Sequence, residues 1–187
     1  MENTRRLRKR DATHKTLMHS AKLLFEENGI SGVTIEQITE KADVSRSTFF
    51  SHFASVDDLL NQIANEEVND IISAACDNGR ADISAIFARL NKDTYPYPYL
   101  MCELLTKNIL SGENSSIEKV FSMMQDEIAG GEYDSLLGTF SKEDISAFIF
   151  GAYFGLVFQK FIGKEPFDDP AKTGDVIEKY IDFLKKA

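Results

Sequence analysis

Tryptophan is absent from this 187-residue sequence, and cysteine occurs only twice. Cys76 and Cys102 match no metal-ligand spacing and are expected to be reduced, buried thiols of an intracellular protein. No secretory signal is visible, because residues 1–30 carry charge throughout and hold no apolar core. The longest uncharged apolar run, Ala147 to Phe158, is 12 residues, too short for a bilayer core of about 30 Å. A soluble, cytoplasmic protein with no membrane role is therefore expected. Repeats and low-complexity segments are missing, and strand patterns are weak throughout. Nucleophile–base pairs, glycine-rich phosphate loops and metal clusters are also lacking, so no catalytic residue, metal or cofactor is assigned and an enzyme is not expected. His14, His19 and His52 share no ligand spacing; solvated or phosphate-facing roles suit them better.

What the sequence does hold is ample core material: 43% hydrophobic residues, including 14 Phe and 6 Tyr. Its net charge of −9 is unevenly spread. Residues 1–53 carry nine Lys/Arg against seven Asp/Glu, whereas the other 134 carry twelve against 23. Five of the bases, Arg5, Arg6, Arg8, Lys9 and Arg10, form a basic arm in the first ten residues. An acidic body with a basic end is expected where only that end meets phosphate.

Apolar periodicity from Asp11 to Asn28 predicts a helix closed by Gly29. Thr34-Ile35-Glu36-Gln37 is a capping box opening a second helix that runs to about Lys41. Ala42-Asp43-Val44 makes a three-residue turn, and Ser45 caps a third helix ending near His52. Ser55-Val56-Asp57-Asp58 opens a long fourth helix. Further helices are expected over Ile83–Leu90, Tyr99–Leu110, Ser116–Ala129, Asp144–Ile162 and Gly174–Lys185, with Pro96 and Pro98 breaking the chain before the second of these.

Thr34 to Phe53 thus reads as helix, three-residue turn, helix, the arrangement in which one helix braces across phosphates while the next enters the major groove. Ser45-Arg46-Ser47-Thr48 offers hydroxyls for phosphate oxygens and an Arg for guanine O6 and N7, with no acid among them. Val44, Phe49 and Phe53 would anchor the opposite face on Phe25, Ile35 and Ile38.

The stretch Leu17 to Leu60 resembles the DNA-binding domain of the TetR (tetracycline-repressor-like) family. The resemblance rests on Ala21-x-x-Leu24-Phe25, Gly29, Thr34-Ile35, Ile38, Ala42, Val44-Ser45, Thr48, Phe50, His52-Phe53 and Leu59-Leu60, about a quarter of the chain. It implies an all-α protein of about nine helices: a three-helix reader over residues 1–54 and a helical ligand-binding and dimerisation domain over 55–187. It further implies a homodimer formed through the two C-terminal helices and bound to a palindromic operator in double-stranded DNA. By that likeness Arg46, Ser47 and Thr48 face base edges, while Thr34, Ser45, Phe50 and His52 lie at the phosphates. The sequence departs from the family's pattern at Asp43 (usually Gly), Phe50 (usually Tyr) and Val56 (usually Lys). The last two remove phosphate contacts, which the basic arm could restore by tracking the backbone or minor groove.

The near-continuous apolar character of Ile145 to Ile162, with Gly151 and Gly155 one turn apart, fits a dimer helix, partnered by a stripe of Val176, Ile177, Tyr180, Ile181 and Leu184. Tyr99, Cys102, Leu105, Phe121, Met124 and Phe148 are candidates for the pocket of a small apolar or aromatic inducer. The alternative is a helix-turn-helix protein of architectural type, or one controlled by a protein partner, with no small-molecule ligand.

Overall fold

The computed structural model of the protein describes residues 2–77, 80–111 and 115–186. Among these lie ten α-helices, a 3-10 turn and one two-residue antiparallel ladder, so the all-α expectation holds. The helices are α1 (Glu2–Asn28), α2 (Ile35–Lys41), α3 (Arg46–Phe50), α4 (Val56–Ala75), α5 (Ile83–Thr94), α6 (Pro98–Ser111), α7 (Ser115–Ile128), α8 (Asp134–Leu137), α9 (Lys142–Gly163) and α10 (Pro170–Lys186). The ladder pairs β1 (Cys76–Asp77) with β2 (Arg80–Ala81), with Cys76 opposite Ala81.

The chain forms two compact units. The first comprises residues 1–66 and 99–108, the second 67–98 and 109–187. α4 and α6 are each divided between the two units. These units are not the contiguous 1–54 and 55–187 division that the sequence suggests.

In the first unit Leu17, Ala21 and Phe25 on α1, Ile38 on α2, Phe49 on α3, Phe53 and then Leu59, Leu60 and Ile63 on α4 are all buried. Leu100 and Leu104 of α6 are buried as well. The Glu26 carboxylate on α1 accepts from the amides of Tyr99 and Leu100, capping α6, while Glu103 accepts from the amide of Ile30 at 2.9 Å. Lys107 meets Asp57 at 2.6 Å. Residues 99–108 are thus an integral part of the first unit although residues 67–98 separate them from the rest of it in sequence.

The second unit packs α10 on α5 and α9, and α7 on α9. Its core is formed by Ile83, Ile86 and Phe87 of α5, Met124 and Ile128 of α7, Tyr133, Ile145, Ile149, Tyr153 and Val157 around α9, and Ile177 and Ile181 of α10. A capping box of Ser141 with Asp144 starts α9, and Lys164 in the left-handed conformation (φ 53°) ends it. At 22 residues, α9 is long and apolar enough to cross a membrane by length and composition. The 12-residue count had stopped at Gln159 and Lys160, which the helix carries through. One side of α9 is buried, and the other exposes Phe148, Phe158 and Ile162, with open space over Gly151 and Gly155. The apolar stripe of α10 is split in the same way. Ile177 and Ile181 are buried, whereas Tyr180 and Phe183 face out.

Candidate nucleic-acid interface

The reading element is built from its turn outward. Thr34 caps α2, its hydroxyl accepting from the Gln37 amide while Gln37 Oε1 accepts from the Thr34 amide at 2.8 Å. α2 ends at Ala42, and Asp43 then adopts φ 52°, a left-handed conformation that Asp tolerates better than most residues. The amide of Val44 returns to the Thr39 carbonyl at 3.0 Å, which fixes the angle between α2 and α3. Ser45 caps α3, accepting from the Thr48 amide at 3.1 Å, and its Oγ lies 2.8 Å from both Ser47 Oγ and Thr48 Oγ1. Three hydroxyls therefore cluster at the start of α3.

The inner face of α3 is fixed by aromatic packing. Phe49 is fully buried, edge-on to Phe50 and 5.6 Å from Phe53. The outer face is free of that packing: Ser45, Arg46, Ser47 and Phe50 are exposed and Thr48 is half-buried. Arg46 donates to the Glu36 carboxylate, and its guanidinium lies over the Phe50 ring, 5.6 Å from the centroid.

His52 is half-buried. Its ring lies 5.6 Å from that of His14 on α1, which itself stacks on Phe53 at 4.7 Å. Burial holds the His52 pKa below its ordinary value, and the charges of His14 and Arg10 add to the effect. Arg10 thus acts on the end of the reading element. The bases Arg5, Arg6, Arg8, Lys9 and Arg10 are all exposed, and they form the first turns of α1 rather than an extended arm. Arg5 with Lys9 and Arg6 with Arg10 form i,i+4 rows, the second continuing to His14. A helix about 10 Å across does not enter a minor groove about 6 Å wide, so in this conformation the arm suits phosphates, not the groove floor.

The six pocket candidates do not gather in one unit. Tyr99, Cys102 and Leu105 belong to the first, Phe121, Met124 and Phe148 to the second. Cys102 is a half-buried free thiol pushed up to about 11 by burial and by the Glu26 charge, hence unreactive; the side chain of Cys76 lies outside the described residues. Met124 is core, Phe148 is 58% exposed on the outer stripe of α9, and Phe121 lines an open cleft of about 590 Å³. That cleft, between α7 and α9, is walled by Phe121, Phe150, Ile117, Ile109 and Ala147, with Glu118, Ser122 and Gln125 as its polar groups. Among the described residues no three His, Cys, Asp or Glu side chains are grouped to hold a metal ion.

Sequence reasoning gave His14 a solvated or phosphate-facing role without placing it beside His52, read Glu36 only within a cap, and missed the pair Glu26 and Glu103. The i,i+4 series Arg6, Arg10, His14 was a usable signal for the first. Nothing in the local pattern marks the other three, whose partners lie ten or more residues away.

Residues 17–63 match the family described as bacterial regulatory proteins, tetR family. Over 81 residues the chain is 31% identical to the transposon Tn10 TetC protein of Escherichia coli, a match covering 41% of each chain. The chain thus spans about two fifths of the length of that curated relative. A transcriptional regulator of the TerR/AcrR family from Aquifex aeolicus shares the fold with a TM-score of 0.70 at 17% identity, over 92% of this chain and 99% of that one. The fatty acid degradation regulator FadR of Bacillus halodurans does so with a TM-score of 0.70 at 14% identity, over 92% and 94%.

Proposed function

We propose that the chain is a member of the tetR family of bacterial regulatory proteins, whose description its residues 17–63 match, and that it is a cytoplasmic transcriptional regulator, a repressor, that binds a palindromic operator as a homodimer. The observation that carries this reading is the outer face of α3. Arg46, Ser47 and Ser45 stand clear of a helix whose other side is locked by Phe49 and Phe53. Such a helix presents a guanidinium and hydroxyls to base edges while the i,i+4 bases of α1 and the rim residues Thr34, Phe50 and His52 lie along the backbone. Phe50 contributes a ring edge only, and Thr34 uses its hydroxyl in the cap, so Arg and His charges carry the phosphate contacts.

Dimerisation would use the outer faces of α9 and α10. Phe148, Phe158, Ile162 and Phe183 are exposed there, and Gly151 and Gly155 leave room for a close-approaching helix. A two-fold dimer would set its α3 helices one DNA turn apart, about 34 Å, or a multiple of it. An apolar or aromatic inducer would occupy the cleft between α7 and α9 and favour a dimer with wrongly spaced readers; linkage then requires operator to weaken ligand binding by the same factor. The roles of Tyr99, Cys102 and Leu105 would then be in coupling, since α6 carries them within the first unit.

The test is binding of the full-length protein to DNA from upstream of its own gene across a salt series, beside Arg46→Ala. Saturable, salt-sensitive binding of a dimer that loses about 1–3 kcal/mol of sequence discrimination in the variant is expected. Weak binding that is equal for both proteins and blind to sequence would overturn the reading.

A further inference from the structure

Glu36 and Arg46 are both charged, both more than half exposed, and bonded to each other across the helix-turn-helix. An ion pair so exposed does little for stability. Glu36 would serve the first turn of α2 equally well without a partner. A carboxylate on the side that is to meet DNA is moreover repelled by phosphates. Yet the backbone leaves Glu36 little choice. The turn at Asp43, the Val44–Thr39 hydrogen bond and buried Ile38 and Phe49 hold the second residue of α2 opposite the first residue of α3.

The guanidinium of Arg46 is therefore held on two sides, by the Glu36 carboxylate and by the face of Phe50. The fork is engaged by Glu36 through Nη1. Guanine recognition needs a planar edge presented in a fixed orientation, because O6 and N7 accept in one plane. A free Arg would instead fold onto the nearest phosphate of any sequence.

We propose that Glu36 is a specificity-determining residue of the DNA-reading head: it positions Arg46 for a base edge and penalises complexes in which Arg46 turns to the backbone. In a sequence-blind complex Arg46 leaves Glu36, whose charge then faces the phosphates uncompensated. In the specific complex the pair stays together and its net charge stays near zero. Glu36 thus acts through Arg46 and by repulsion, weakening wrong complexes more than right ones. The inference rests on the reading of α3 as the recognition helix.

The test uses the full-length protein and a duplex that it selects itself from a random-sequence library, with a scrambled duplex of equal length as reference. Discrimination is the ratio of the two dissociation constants at one salt concentration. Glu36→Gln keeps the side-chain shape and removes the charge. It is expected to bind the scrambled duplex more tightly and to lose about tenfold in discrimination, the scale of one base contact. Arg46→Ala should lose a similar factor, and the double variant little more, because the two act as a unit. Unchanged discrimination in Glu36→Gln beside a collapse in Arg46→Ala would overturn the inference alone. Additive losses would also overturn it, since Glu36 would then read a base for itself. Failure of the wild type to select any sequence, or an Arg46→Ala protein with wild-type discrimination, would instead overturn the reading beneath it.

Discussion

Histidine at position 52 shows how one residue's surroundings prepare it for a ligand. Its lowered pKa, from burial and then from His14 and Arg10, means that protonation opposes the free fold. Stability from this group is present above about 6.5 and is lost as pH falls below it. A phosphate oxygen beside the ring reverses that preference, so DNA binding should take up a proton. Operator affinity is expected to rise by about threefold or more between pH 8 and pH 6, and His52→Gln should flatten the profile. Parallel profiles for the two proteins, measured by anisotropy titration, would remove His52 from the interface. At this scale the sequence was readable wherever chemistry is local. The Thr34–Gln37 and Ser45–Thr48 caps and the positive φ of Asp43 follow from neighbours three residues away or fewer. His14 against His52 is a tertiary contact, and no local pattern encodes it.

Among the elements, the link between α4 and α5 inside the second unit is sensitive to pH. Arg89 on α5 donates to Asp93 at 2.7 Å and to Asp70 of α4 at 2.6 Å. Asp93 is pushed up to about 6, by burial first of all and with help from the Glu67 carboxyl, to which it is hydrogen-bonded, while Arg89 opposes both. A raised carboxyl contributes stability that is full below about 4 and lost as pH rises through about 6. Asp93→Asn removes the ionised group and retains an acceptor for Arg89. Its melting temperature should exceed the wild type's by about 2–4 °C at pH 7.5, corresponding to about 1 kcal/mol after allowance for solvent screening. Below pH 4, where Asp93 is protonated in both states, the gain should vanish. An equal gain at both pH values would assign the effect to packing instead. Element positions were mostly legible from apolar periodicity, and ends were less so. α1 extends back to Glu2 because Arg and Lys are intrinsically good helix formers, and α5 runs on to Thr94 because only Pro96 stops it. The four-residue α8 is too short to show any period.

For the molecule as a whole, the open question is how many copies act together. Ile162 is 84% and Phe183 68% exposed on the outer faces of α9 and α10, more apolar surface than an isolated protomer needs to show. Ile162→Glu combined with Phe158→Arg should convert a dimer into a monomer in sedimentation velocity, and operator affinity should fall with it. An unchanged sedimentation coefficient would place the dimer contact elsewhere. This organisation was only partly visible beforehand. Periodicity marks α9 as buried on most sides without telling core from interface, and the split of the α10 stripe into buried Ile177 and Ile181 and exposed Tyr180 and Phe183 depends on what α5 and α9 cover.

The discontinuous first unit has a consequence for anyone who would treat the reader as a cassette. Cutting after residue 54 strips away Leu59, Leu60 and Ile63, and also Leu100 and Leu104, which are all buried in the intact unit. The same cut orphans the Glu26 carboxylate and the Ile30 amide, whose partners lie at residues 99, 100 and 103. A chimera that borrows this head must therefore carry two segments, 1–66 and 99–108, or a recipient whose own sixth helix can take the place of the second. DNA specificity and the regulatory body can be exchanged between such proteins only across a seam that the chain crosses more than once.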